Sequence, residues 1–96
     1  MPTEKRQLQV SNNEAESRFE CDVDGKVGVV EYTTRPGAIV FTHTEVPREL
    51  AGRGIAQQLV AAALDHAREN KLHVVPLCTY VAAYIEKHPE YKDLVE

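Results

Sequence analysis

The stretch His43–Ala67, HTEVPRELAGRGIAQQLVAAALDHA, carries the change of periodicity on which the fold turns. Up to Val46 the chain is rich in β-branched and aromatic residues, and Pro47 stops that strand. From about Ala51 the apolar residues recur at helical spacing. Ile55, Leu59, Ala62, Ala63 and His66 form one stripe, and Ala56, Val60 and Ala67 widen it. Gln57, Gln58, Asp65, Arg68 and Glu69 fall mostly elsewhere. An alanine-rich stripe lets such a helix sit close against a sheet. Between strand and helix lies Leu50–Ala56, LAGRGIA. A helix start leaves its first N–H groups without intrahelical acceptors, and these donors, with the helix dipole, attract anions. Glycines at 52 and 54 let a ligand approach the backbone with no Cβ in the way, and Arg53 adds a positive charge. The stretch suits a phosphate or pyrophosphate. A glycine pair at a strand-to-helix junction also serves turn geometry alone.

The flanking sequence divides in two. On the N-terminal side, RFECDV (Arg18–Val23) alternates as a half-buried strand does, with Phe19, Cys21 and Val23 on one face. Asp24-Gly25 is a favoured two-residue hairpin turn. KVGVVEYT returns, Arg35-Pro36-Gly37 breaks the chain again, and AIVFTHTEV is the third strand. The polar residues 1–17 are expected to form a flexible segment, with a short strand at Leu8–Val10 and ordering from near Arg18. On the C-terminal side, LHVVPLC reads as a fourth strand distorted by Pro76, and TYVAAYIEKH as a helix that Pro89 ends. Asn70 is the expected stop of the first helix, and EYKDLVE adds a last turn. Strand, helix and strand across Ala38–Cys78 are long enough for a crossover, so the third and fourth strands are expected to be parallel neighbours. The fold class is α+β, with an α/β-like half. A three- to four-stranded antiparallel meander is followed by a helix, a parallel strand and a helix, in one domain at residues 18–96.

Composition narrows the function. The 96 residues make one small domain. A formal charge of −4 and a pI near 5.5, with scattered basic residues, argue against nucleic acid as the partner. No apolar run approaches the roughly 20 residues of a membrane span, and the polar N-terminus carries no secretory segment. A cytoplasmic protein with free thiols is therefore expected. Cys21 and Cys78, with His43, His66, His73 and His88, show no metal-ligand spacing, so no metal site is expected.

The glycine stretch fits neither of two common phosphate loops. The P-loop ends in Gly-Lys-Ser/Thr, which is absent, and the dinucleotide fingerprint wants a third glycine or alanine where Gln57 stands. It resembles the pyrophosphate loop of the acetyl-CoA-dependent Gcn5-related N-acetyltransferase superfamily, whose pattern is Gln/Arg-x-x-Gly-x-Gly/Ala. Here that pattern reads Glu49-Leu50-Ala51-Gly52-Arg53-Gly54, with Glu at the first position. His43 to about Tyr91 is similar to the superfamily's strand, loop, helix, strand, helix core. HTEVP, GRGIAQQLV, VVPLCTYVAAYI and HPEY look like its small single-domain YjdJ-type branch, over about Arg18–Tyr91.

The resemblance implies a minimal acyl-CoA N-acyltransferase fold that holds acetyl-CoA, or coenzyme A, by the N–H groups of Leu50, Ala51, Gly52, Arg53, Gly54, Ile55 and Ala56. It implies that the strand end at Val46 bonds the pantetheine arm and that Thr79 joins the coenzyme site. Cys78 would lie near the thioester. It would accept the acetyl group, protonate the leaving thiolate, or simply fill the core. Glu45 and His43, two apart on a strand, share a face. Either would serve as the base that deprotonates the amine, or the two form a polar surface pair. Many superfamily members use a tyrosine on the last helix as general acid, but the spacing of Tyr80 and Tyr84 from the glycine loop is not the usual one, so these two suit core packing, as does Cys21, and His66 and His73 suit structural or solvated positions. His88 and Tyr91 would cap the fold or touch the coenzyme's outer end. The superfamily's N-terminal helical region has no room here, so the acceptor side is expected to be open and shallow. That suits a protein or peptide amine, a small amine, or a missing partner subunit. The leading expectation is a monomeric N-acetyltransferase acting on an amine acceptor. The alternatives are a coenzyme A or acyl-CoA sensor or accessory module without significant turnover, and a plain interaction domain.

Overall fold

The sheet is built by hairpins. In the computed structural model, which describes residues 9–95, β1 is Val10–Asn13, β2 Arg18–Val23, β3 Lys26–Arg35 and β4 Ala38–Glu45. After β4 come a 3₁₀ turn at Arg48–Leu50, the helix α1 (Ile55–Glu69), the strand β5 (His73–Pro76), the helix α2 (Thr79–Lys87) and a 3₁₀ stretch at Pro89–Leu94. The strands lie in the order β1-β2-β3-β4-β5. The first four are antiparallel and β4 pairs with β5 in parallel, as expected of a crossover through α1. At the β2–β3 turn Asp24 and Gly25 have φ of 53° and 83°, the pair of left-handed residues that a primed hairpin turn requires.

One expectation is corrected. Among the described residues the short strand runs from Val10 on to Asn13, beyond the expected end at Val10, so order extends back before Arg18; Leu8 lies outside the described residues. Val10 stands opposite Cys21 and packs on the core, and Asn12 accepts the Tyr32 hydroxyl at 2.6 Å. These partners lie far along the sequence, which is why local polarity hid them. The rest of the expected flexible segment, Met1–Leu8, lies outside the described residues.

The core lies on one face of the sheet. Phe19, Cys21, Val30, Tyr32, Ile39, Phe41 and Val74 point to that face, and Leu59, Val60, Leu64, Val81 and Ile85 from both helices close over it. Gly28 belongs to the same face, and its missing side chain lets the first turn of α1 approach. A Cβ there would stand 3.2 Å from Leu59 Cδ1 and 3.4 Å from the Cγ2 atoms of Ile55 and Val46. The opposite face carries Arg18, Glu20, Glu31, Thr33, His43 and Glu45, together with Ala38 and Val40, which are buried at 4% and 7% exposure, and neither helix adds to the core from that side. There Arg18 and Asn13 each donate to Glu20 at 2.7 Å, and the Arg18 bond holds the Glu20 carboxyl below its usual range.

The C-terminal stretch is clamped to α1. Arg68 donates to both oxygens of Asp93, at 3.0 and 2.9 Å, and to the Glu90 carbonyl at 2.7 Å. The Tyr91 hydroxyl donates to Asp65 at 2.8 Å. Val95 then bridges Val74 on the outer edge of β5. No described helix is long and apolar enough to cross a membrane.

Candidate functional site

The site begins where α1 begins. Gly52 and Gly54 have φ of 82° and 75°, a backbone conformation that side chains resist. Gly54 is the N-cap, with no side-chain cap and no acidic residue in the first turn. The first helical bond runs from Gln58 N–H to the Gly54 carbonyl, so the N–H groups of Ile55, Ala56 and Gln57 precede the ladder. The turn opens on a pocket of about 310 Å³, walled by Val46, Leu50, Ala51, Gly52, Gly54, Ile55, Ala56 and Gln57. Most of the residues expected to hold a coenzyme wall this pocket, but one expectation is corrected: the Leu50 and Ala51 N–H groups donate to the Pro47 and Arg48 carbonyls, at 2.9 and 3.0 Å, and close the 3₁₀ turn instead of standing free for an anion. Arg53 and Thr79 are exposed and stand outside the pocket walls. Gln57, which the sequence places off the apolar stripe of the helix, is a further wall residue.

A second feature adjoins the first. β4 and β5 pair only from Ala38↔His73 to Phe41↔Pro76. One further bond, from Cys78 N–H to the Phe41 carbonyl at 2.9 Å, closes the ladder before the chain turns into α2. From Thr42 to Glu45, β4 bonds only to β3, and its other edge is open. The two strands therefore part at the end from which the chain leads to the α1 turn.

A β-bulge decides which side chains face this gap. Glu31 pairs with His43 and Tyr32 with Phe41, leaving Thr42 as the extra residue of β4. The Thr42 hydroxyl donates to the Glu31 carbonyl at 3.3 Å. Beyond the bulge the alternation is reset, and Thr44 comes to stand opposite the buried Val30 on the helix-covered face. His43 and Glu45 go to the bare face. They do share a face, with His43 Nε2 3.3 Å from Glu45 Oε1, and their side chains are 55% and 71% exposed. Thr44, which sequence reading passed over, has its hydroxyl 3.3 Å from Cys78 Sγ. Cys78 is the N-cap residue of α2 and is 8% exposed, within the hydrophobic core. So the four residues stand on two sides of one gap, Thr44 and Cys78 toward the helices, His43 and Glu45 toward solvent. No local pattern in the sequence announces the bulge.

Of the remaining candidates, Tyr80 is 37% exposed rather than packed in the core as expected, and His73 is exposed, while Tyr84, His66 and Cys21 make internal contacts. Tyr84 is half-buried on the core and stacks on His88 at 4.1 Å, and His66 meets the edge of Phe19 at 5.3 Å. Cys21 is buried, burial pushes its thiol up, and both cysteines are free. Among the described residues no three metal-ligating side chains converge.

Comparison with known proteins agrees with this geometry. The profile of the family described as GCN5-related N-acetyl-transferase matches residues 18–94. Protein NATD1 of Gallus gallus is 33% identical over 86 residues, which cover 85% of this chain and 77% of that protein. Protein NATD1 of Homo sapiens is 45% identical over 47 residues, 49% of this chain and 42% of the human protein. The solution structure of a GCN5-like protein from Staphylococcus aureus superposes with a TM-score of 0.73 at 28% identity, over 93% of this chain and 88% of that one. A five-stranded mixed sheet with both helices on one face, an uncapped glycine turn and parted parallel strands thus accompany a family match over most of the sequence, and the chain belongs to the GCN5-related N-acetyl-transferase family.

Proposed function

We propose that the chain is an acetyl-CoA-dependent N-acetyltransferase that delivers the acetyl group to an amine. The observation that carries this reading is the uncapped, glycine-flanked start of α1, which opens on the 310 Å³ pocket beside the gap between β4 and β5. The residues present fit the coenzyme. Side chains at Gly52 and Gly54 would strain the turn, and the free N–H groups suit a pyrophosphate. The open edge of β4 up to Glu45, continued at Val46, suits the amides of a pantetheine arm.

Acetyl-CoA, when bound, supplies an activated thioester acyl group. This chain's residues then divide the remaining work. The N–H groups of the turn from Gly52 to Ala56 would hold the diphosphate, with Arg53 adding charge from outside the pocket; those of Leu50 and Ala51 already donate to the Pro47 and Arg48 carbonyls. Glu45 or His43, on the solvent side of the gap, takes a proton from the attacking amine. Cys78, on the helix side, gives its proton to the departing thiolate or itself takes the acetyl group. The bare sheet face leaves the acceptor side open, which suits a protein or peptide amine or a small amine.

The test is calorimetric titration of acetyl-CoA into the protein and into a Gly52→Val, Gly54→Val variant, with product sought by mass spectrometry on a panel of amines and a lysine peptide. Binding by the parent and its loss in the folded variant support the coenzyme site, and acetylated amine supports turnover. No binding by the parent refutes the proposal. Labelled acetyl on Cys78 separates the covalent route from direct transfer. A second reading, a coenzyme A-binding sensor, draws on the face opposite the core, on which neither described helix packs. Binding with no product on any amine is its signature.

A further inference from the structure

We infer that Thr44 is the positioning residue for the Cys78 thiol, its hydroxyl holding Sγ and donating a hydrogen bond to it whenever the sulfur is ionised. The inference rests on the reading of Cys78 as a chemically active group.

Three observations support it. The bulge at Thr42 is what turns Thr44 toward the helices. In an unbroken strand Thr44 would share a face with Val40 and lie on the bare side, away from Cys78. The Oγ1 to Sγ distance is 3.3 Å, within hydrogen-bond range for sulfur, and either atom has a proton to give. Cys78 itself is tied by its own N–H to the Phe41 carbonyl, which fixes the sulfur relative to β4. The pair can therefore exchange roles. With the thiol protonated, Sγ–H donates to Oγ1 or accepts from it. After the thiol has given up its proton, the Thr44 O–H turns to the sulfur, and no other atom need move. That exchange serves either part assigned to Cys78, because both pass through an ionised sulfur. Threonine suits the place, since a branched side chain on a strand is restricted at χ1 and keeps its hydroxyl aimed.

The test uses the whole chain and the rate at which Cys78 is alkylated by iodoacetamide at neutral pH, followed by peptide mass spectrometry. Thr44→Val keeps the shape and removes the hydroxyl, and Thr44→Ser keeps the hydroxyl. Thr44→Ala removes the hydroxyl and widens access. A hydrogen bond to a charged group is lost in the first and third variants, which lowers the thiolate fraction by about tenfold or more, while the more basic thiolate is more nucleophilic and regains about half of that on a logarithmic scale, so Val and Ala are expected to slow labelling several-fold, up to about 10-fold. Ser should stay within about 2-fold of the parent. Access alone would order the variants differently, with Ala faster than the parent. Thermal midpoints check that each variant is folded. Val labelling as fast as the parent, Ala labelling faster, or Ser as slow as Val overturns the inference. Failure of acetyl-CoA to bind the parent would refute the proposed function and leave the labelling result intact, so the two failures are distinguishable.

Discussion

Gly28 offers the sharpest test of how the site is built into the fold. Its φ lies outside the left-handed region, so backbone strain plays no part in a substitution. What matters is room. A Cβ would meet Leu59 Cδ1 at 3.2 Å and the Cγ2 atoms of Ile55 and Val46 at 3.4 Å. Leu59 is 0% and Ile55 2% exposed, so neither swings out to make space. For Gly28→Ala two effects oppose each other. Alanine restricts the unfolded chain and stabilises by about 0.4–1 kcal/mol, while a few tenths of an ångström of crowding costs a comparable amount. The net is expected within about 1 kcal/mol of zero. Gly28→Val adds two more methyl groups where there is no space, and overpacking of this kind costs about 1–3 kcal/mol. In a domain of this size each kcal/mol moves the midpoint by about 4–8 °C. Thermal unfolding followed by circular dichroism should place the Ala variant near the parent and the Val variant clearly below it. Ile55 and Val46 also wall the pocket, so Val should weaken acetyl-CoA binding at a temperature where the variant is folded. A Val variant with an unchanged midpoint refutes the close approach. An Ala variant as damaged as Val shows that room is not the deciding factor.

Other expectations follow from the same geometry. At Gly54, φ is 75° and the nearest atom to an added Cβ is Gln57 Oε1 at 4.0 Å, so Gly54→Ala should cost only the left-handed penalty, about 1–2 kcal/mol, read from denaturant midpoints. The Tyr91 phenol is pushed up to about 12, by burial first and then by its bond to Asp65. The folded state thus keeps this proton where the unfolded state has lost it, and stability should fall as pH rises from about 10 to 12. Tyr91→Phe should flatten that alkaline decline in urea titrations. The Asp93 carboxyl is held below its usual range, chiefly by its hydrogen bond from Arg68. That contribution is present above the ordinary carboxylate value and is lost as pH falls through the lowered one. Asp93→Asn should therefore show a shallower acid decline, and an identical acid limb in both proteins would refute the role given to the pair.

The sequence shows best what local chemistry dictates. Arg18–Val23 alternates because one face is core and the other solvent. Asp24-Gly25 turns because both residues accept positive φ. The parallel pairing of β4 and β5 follows from the length of chain between them. The glycine turn was legible for the same reason, since an uncapped helix start bracketed by glycines is a statement about backbone. What stayed hidden depends on partners distant in sequence. Val10 becomes part of a strand through Cys21 and the core, and Gly28 matters because Leu59 lies over it. The one-residue bulge at Thr42 is the largest case. Simple alternation pairs His43 with Glu45 correctly, yet it gives no sign that Thr44, between them, is the residue that meets Cys78.

The one-sided core has a consequence for how such a protein can diversify. Leu50 and Ile55 are pocket walls and core residues at once. Any drift at those positions is felt by folding as well as by ligand, and the two are selected together. Thr33, His43 and Glu45 lie on a face that no helix covers, where a substitution typically changes stability by less than about 0.5 kcal/mol. New preferences for what docks on that face can therefore accumulate almost free of folding cost. The pocket side is held constant by the need to fold at all, and the face opposite the core is where descendants of one scaffold are free to part company.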